Sequence, residues 1–310
     1  MKSSGIGGQA VMEGIMMRNG SEYSVAVRKE NGEIEVKKET YKGVGSKCKL
    51  FRLPFIRGIF SFVDSLVLGM KSLNYSASLF MEDGEEEEEP GRFEKWLQKK
   101  FGDKAEKVIM DLTMVISIIL AMGIFMVFPT WVSTLMKPLL GNGIWMALFE
   151  GVLRIAIFIA YVGLISLMPD IKRTYMYHGA EHKCINCIEH GLELNVENVR
   201  KSSRQHKRCG TSFLFFVMIV SIIFCFFITA QSQIARVLIR LALLPVIAGV
   251  SYEIIKLAGN SENPFVNLLS RPGMWVQNMT TKEPDDDMIE VGIRAVEAVF
   301  DWKNWQKENL

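Results

Sequence analysis

Histidine is scarce in this chain, with four in 310 residues. Cysteine is nearly as rare: five, an odd number without regular spacing, which argues against the disulfide framework of a small secreted domain. A charge excess is also missing. Lys and Arg total 36 against 34 Asp and Glu, a formal +2, so the totals predict no specific nucleic-acid partner. The first fourteen residues, MKSSGIGGQAVMEG, lack a continuous apolar core, so no cleaved signal peptide is expected. No internal repeat is visible. What the chain does have is apolar residues, 49% of the total, gathered in blocks, which points to a membrane protein rather than a soluble globule.

Four blocks are long enough to span a bilayer, for which about 20 residues are needed: Leu112 to Met136, Ile144 to Met168, Thr211 to Thr229 and Ile234 to Leu257. An even number of spans puts both soluble ends and the long link between the middle spans on one side. That side carries Lys172, Arg173, Lys183, Arg200, Lys201, Arg204, Lys207 and Arg208, whereas the other side offers chiefly Lys137. The bias assigns the basic side to the cytoplasm of a bacterial inner membrane. The expected fold is therefore a mainly α membrane protein. Residues 1–52 form a cytoplasmic N-terminal segment with a β-hairpin, and 53–81 an amphipathic, re-entrant or spanning helix. Residues 82–110 form an acidic linker and juxtamembrane helix, 111–168 a first transmembrane hairpin and 169–210 a cytoplasmic His/Cys loop. Residues 211–258 form a second transmembrane hairpin, and 259–310 a cytoplasmic C-terminal helix. The hairpin expectation rests on Ser24 to Val27 and Glu33 to Val36 flanking Asn31-Gly32, a favoured two-residue turn. The glycine-rich start, Gly5 to Gly14, matches no full phosphate-loop pattern and reads as a flexible or tightly turning segment. Thr280 to Asp287 reads as a helix start, with Ile289, Ile293, Val296 and Phe300 following at helical spacing.

All four histidines fall between His178 and His206, and Cys184, Cys187 and Cys209 lie in or beside that stretch. On a helix, His178 and His182 share one face and can present imidazoles to one cation. His-x-x-Glu-His is the reversed zincin pattern, in which two histidines bind zinc and the glutamate, here Glu181, is the general base. The expected cofactor is thus a divalent metal, zinc by preference. His206 and Cys209 are the nearest further ligands in sequence, with Glu189, His190 and Glu253 as substitutes. Filling all four positions with His178, His182, His206 and Cys209 would instead make a closed structural site. Basic and imidazole groups serving anionic headgroups are a third reading. Cys184 and Cys187 read as incidental. Ionisable residues within the spans, Glu150, Arg154, Arg236 and Arg240, require partners or a cavity, unless the two near a helix end snorkel.

Several segments together resemble the YqhQ-like family of bacterial membrane proteins: Gly7-Gly-Gln-Ala-Val-Met-Glu-Gly14 with Met16-Met-Arg18, Pro54-Phe-Ile-Arg-Gly58, Tyr177-His-Gly-Ala-Glu-His-Lys183 and Arg208-Cys-Gly-Thr-Ser-Phe213. Ser251-Tyr-Glu253 and Thr280-Thr-Lys-Glu-Pro-Asp-Asp286 fit it too, so the resemblance covers nearly the whole chain. It implies a metal-dependent enzyme of unassigned reaction, a label that rests on the same histidine segment. It adds Glu13, Arg18, Arg57 and Glu253 to the candidate site, and leaves Cys184 and Cys187 outside the pattern. The leading expectation is a hydrolase acting on a lipid-like or peptide substrate, with Arg57 and Arg204 as cations for an anionic one. The competing expectation is a non-enzymatic partner of another membrane complex, such as protein-export machinery, or of the ribosome. A transporter is a weaker third, since four spans would then call for a homo-oligomer or a re-entrant segment.

Overall fold

Alternation of apolar residues near the N-terminus builds a sheet with two buried faces. In the computed structural model, which describes residues 3–46, 48–81, 91–102, 105–141, 144–227, 233–259, 261 and 263–310, four strands pair antiparallel in the order β1-β2-β3-β4. They are β1 (Gly7–Val11), β2 (Gly14–Asn19), β3 (Glu22–Arg28) and β4 (Ile34–Thr40). Successive side chains alternate between faces, so Ile15, Met17 and Ala26 enter one core while Val11, Met16, Val25 and Val27 enter another. The expected hairpin is β3–β4, but its turn is longer than two residues. The ladder closes at Arg28↔Ile34, and residues 29–33 connect the strands. Asn31 Oδ1 accepts the Glu33 N–H at 2.9 Å, and Gly32 supplies the positive φ of 85°. The Gly5 to Gly14 segment is not a flexible loop. It contains β1, whose pairing with β2 supplies the backbone partners that its glycines could not predict.

Three helices close the sheet. Helix α1 (Ile56–Met81) lays Leu68 and Leu79 on the second face, and its buried Asp64 accepts the Val44 N–H at 2.8 Å and the Tyr41 hydroxyl at 3.1 Å. Its opposite side leaves Val63, Leu66, Val67, Met70 and Leu73 exposed at helical spacing. The other face is covered by α7 (Pro169–Glu189) and α12 (Asp286–Val299), which bring Ala180, Cys184, Ile289 and Val296 into the core with Ile15 and Met17. Asp285 caps α12 by accepting the Met288 N–H at 2.9 Å, with Asp286 and Asp287 in the first turn. The expected start was a little early: Thr280 ends α11 (Pro264–Thr280) and Pro284 lies in the connecting segment. The short helices α8 (Val196–Lys201) and α13 (Trp302–Asn309) complete this part.

The remaining helices are α2 (Arg92–Phe101), α3 (Ala105–Met122), a π-helical turn (Gly123–Val127), α4 (Phe128–Leu135), α5 (Lys137–Leu140), α6 (Ile144–Ile165), α9 (Gly210–Phe226) and α10 (Gln233–Gly259). The chain divides into two units. One contains residues 1–80, 159–221 and 242–310, and the other contains residues 81–158 and 222–241. Among the described residues, three helical segments are long and apolar enough to cross a membrane: Val108–Leu135, Ile144–Ile165 and Val237–Gly259. The fourth expected span corresponds to α9, apolar but shorter. In the second unit the buried charges of these apolar helices find one another. Glu150 takes Arg154 at 2.7 Å and Arg240 at 3.0 Å, and Thr130 adds its hydroxyl at 2.9 Å. Arg240 is therefore a partner of Glu150 and does not snorkel. The acidic run 85–89, residues 231–232 between α9 and α10, and the side chains of Cys225 and Arg236 lie outside the described residues.

Candidate metal centre

Helix α7 begins favourably, with Pro169 in its first turn and Asp170 complementing the macrodipole. Its spacing then places the rings of His178 and His182 side by side, centroids 4.4 Å apart. Gly179 lies between them because the Lys282 carbonyl rests directly on it, where a Cβ would collide. That close approach lets the 280–284 segment run along α7. The Lys282 N–H donates to the Tyr175 carbonyl at 2.8 Å, and the Thr280 carbonyl accepts from His178 Nδ1 at 2.8 Å. On the other side Asn186 donates to the Ser203 and Gln205 carbonyls at 2.6 and 2.9 Å, bringing the Arg204 carbonyl to within 2.6 Å of His182 Nδ1. A carbonyl can only accept, so both histidines keep a proton on Nδ1 and turn Nε2 inward.

Cys209 meets them from the start of α9. Its Sγ lies 3.3 Å from His178 Nε2, 3.1 Å from the Thr211 hydroxyl and 3.4 Å from the Thr211 N–H. Ligand atoms of His178, His182 and Cys209 all lie within 4.8 Å of one another, a group that could hold a metal ion. Burial alone would raise the Cys209 thiol, but the charge of His178 and His182 holds it well below its ordinary range. Burial likewise opposes protonation of His178, and the facing thiolate outweighs it, raising the imidazole. Two imidazole Nε2 atoms beside a thiolate are a donor set suited to zinc, binding of which would displace the inner proton of His178.

Glu181 stands next to the group, its Oε2 4.0 Å from His178 Nε2. Burial raises its carboxyl above the usual range, against the pull of both histidines and the Gly8 N–H. Gly8 has no room for a side chain: a Cβ there would fall 2.9 Å from Glu181 Cγ. A cleft of about 610 Å³ opens on His178, Glu181 and Cys209, walled by Gly8, Gln9 and Ala10 of β1 and by Phe62, Leu66, Phe213, Leu214 and Ile255.

His206 is not brought into this group. Its ring lies 5.8 Å from that of His182, and its Nε2 faces Glu189 Oε2 at 3.6 Å. Glu189, 1% exposed, also accepts Arg208 at 2.5 Å and both the Ser4 N–H and hydroxyl at 2.7 Å. Burial works against the charge, but His206 and Arg208 hold Glu189 down to about 2. Gln277 secures the His206 backbone in both directions, at 2.9 and 2.7 Å. Burial lowers the His206 imidazole despite Glu189. His190 turns back to the Asn186 carbonyl of its own helix at 2.6 Å. The remaining candidates brace the scaffold. Glu13, with φ 47° at the β1–β2 turn, takes Arg173 at 2.6 Å and the Tyr177 hydroxyl at 3.1 Å. Arg57 is paired with Glu253, which also accepts the Phe55 N–H at 3.1 Å. Arg18 donates to the Gly20 carbonyl at 2.8 Å and lies over the Tyr41 ring. Arg204 reaches the Thr281 carbonyl at 3.2 Å. Cys184 and Cys187 are buried and free, with burial raising both thiols, Cys187 to about 11. Sequence reasoning did not single out Gly8, Gly179, Thr211 or Gln277. The first three lie inside the quoted motifs, and Gln277 had no signal.

Residues 53–302 match the family described as "Protein of unknown function (DUF1385)". The chain is also 33% identical over 304 residues to "Uncharacterized protein YqhQ" of Bacillus subtilis (strain 168), covering 98% of this chain and 94% of that one. The chain belongs to this family. No solved structure matches it. In this family member the family match covers every element that supplies the His178, His182 and Cys209 group, whereas β1 and its Gly8 precede the matched region.

Proposed function

We propose that this chain is a metal-dependent hydrolase of the bacterial inner membrane, with its centre at the cytoplasmic face. The observation that carries the reading is the convergence of three ligand atoms whose imidazole orientation is fixed from behind by the Thr280 and Arg204 carbonyls. Three protein ligands leave a tetrahedral position for substrate or water. His178, His182 and Cys209 would hold zinc, which supplies Lewis acidity that brings the ionisation of water to about pH 7. Glu181, buried and raised, is suited to hold and exchange a proton beside the ligands. The cleft gives substrate access, and its apolar walls exclude water. Helix α9 serves as the fourth crossing, and the exposed apolar stripe of α1 lies in the bilayer interface. The basic residues around the loop orient that face to the cytoplasm.

Metal analysis of protein purified without chelators tests the reading. Close to one equivalent of zinc is expected, falling in His182→Ala and Cys209→Ala but retained in Glu181→Gln. Less than about a tenth of an equivalent of any transition metal in the wild type would end it. A second reading is favoured by the Cys209–His178 contact itself, since a thiolate beside an imidazole at a helix start is also a nucleophile. Activity that resists chelation and is lost on thiol alkylation would select it.

A further inference from the structure

The β1–β2 hairpin determines which backbone groups of β1 face away from the sheet. Val11 and Gly14 flank a two-residue connection and so form a hydrogen-bonded pair, as by alternation do Gln9–Met16 and Gly7–Arg18. Gly8 and Ala10 fall on the other parity and direct both N–H and C=O outward. β1 is an edge strand, so no further strand receives these groups. The nearby Gly8 N–H lowers the Glu181 carboxyl, in keeping with that outward direction. The Gly8 carbonyl and both Ala10 groups then face the cleft, and no described residue outside the sheet is hydrogen-bonded to them.

The cleft around this edge is walled by Phe62, Leu66, Phe213, Leu214 and Ile255. A purely alkyl occupant would cover the outward backbone groups without satisfying them, which is costly for buried donors and acceptors. An extended peptide would satisfy them and set alternate side chains against the apolar walls. We propose that the cleft binds an extended apolar peptide segment as an added strand on β1, leading it past Glu181 to the His178–Cys209 group. The chemistry rests on the hydrolase reading. There, one peptide bond of the added strand would break, water giving its hydroxyl to the carbonyl carbon and its proton to the departing amine. The binding step does not depend on that reading.

The test uses full-length protein in lipid nanodiscs and a fluorescein-labelled peptide of alternating leucine and serine, followed by anisotropy. Two further versions carry N-methyl groups on the leucines only or on the serines only. Strand addition uses donors of one parity, so one version should bind about tenfold more weakly and the other like the parent. Ala10→Pro removes the outward donor while the ladder through Gln9 and Val11 remains, and should weaken the parent peptide similarly. The N-methyl comparison is made on wild-type protein and stands whether or not that variant folds. Equal binding of all three peptides would overturn the proposal. So would displacement of the peptide by lysophosphatidylcholine with no parity effect, which would make the cleft an acyl-chain site. Parity-dependent binding without cleavage would uphold strand addition and remove the hydrolase reading. Cleavage of a lipid ester without parity-dependent binding would do the reverse.

Discussion

Replacing Glu189 with glutamine removes one charge from a site that is 1% exposed, and the structure sets the scale of the loss. The carboxylate accepts from Ser4 twice and from Arg208, and faces His206. Its pKa drops from 4.5 to about 2 on folding, which corresponds to roughly 3 kcal/mol at neutral pH. Breaking a buried pair by removing one partner gives a similar figure, about 3–5 kcal/mol. The expected shift in thermal midpoint is about 6–12 °C for a domain of this size. Tryptophan fluorescence of detergent-solubilised wild type and Glu189→Gln, melted side by side, measures it. The folded pKa lies below the unfolded one, so this stabilisation is complete above about pH 4.5 and fades as the pH falls through about 2. The two melting curves should therefore converge in acid. A gap below about 2 °C at pH 7, or a gap that stays constant into acid, would refute the assignment of Glu189 as the charged hub of this face.

Gly179→Ala drives a methyl into the Lys282 carbonyl and should cost at least about 1–3 kcal/mol by forcing α7 away from the 280–284 segment. Faster limited proteolysis between α11 and α12 reports it, and an unchanged cleavage rate would contradict the contact. In the second unit, Glu150→Gln withdraws the carboxylate shared by Arg154 and Arg240 and should destabilise by about 3–5 kcal/mol. A thermal midpoint indistinguishable from wild type would show that the two arginines do not depend on Glu150.

The helical spacing of His178, Glu181 and His182 is a local property, readable from five consecutive residues. The orientation of His206 is not local. Glu189, Ser4 and Gln277 decide it, from 17, 202 and 71 positions away, and nothing in the loop itself signals that its ring turns from His182. Residues 5–14 misled for a physical reason. Glycine weakens a strand's intrinsic preference, yet Gly8 is needed because the Met16 carbonyl and the Glu181 side chain leave no room for a Cβ. α1 was ambiguous because both of its sides are apolar: Leu68 and Leu79 meet the sheet, while Leu66 and Met70 stay exposed. Hydropathy cannot distinguish a protein contact from a lipid contact. The α12 pattern of Ile289, Ile293 and Val296 was plain because acids and a cap preceded it. What it would cover, Ile15 and Met17, was not.

The cover over that sheet arrives late. Ser24 donates to the Ala295 carbonyl, a contact spanning 271 positions, and the face carrying Ile15, Met17 and Ala26 is closed by residues of α7 and α12. A ribosome therefore releases the strands long before their lid, and the nascent sheet must wait while the intervening apolar helices are made. During that interval it presents an uncovered apolar face of the kind that chaperones and aggregates recognise. A chain stopped before Asp286 would keep the part of that face that α12 covers exposed permanently. The His178, His182 and Cys209 group shares the constraint, because the Thr280 carbonyl that orients His178 is also made near the end. The backbone support that fixes the His178 ring is thus complete only after nearly all of the protein has been synthesised.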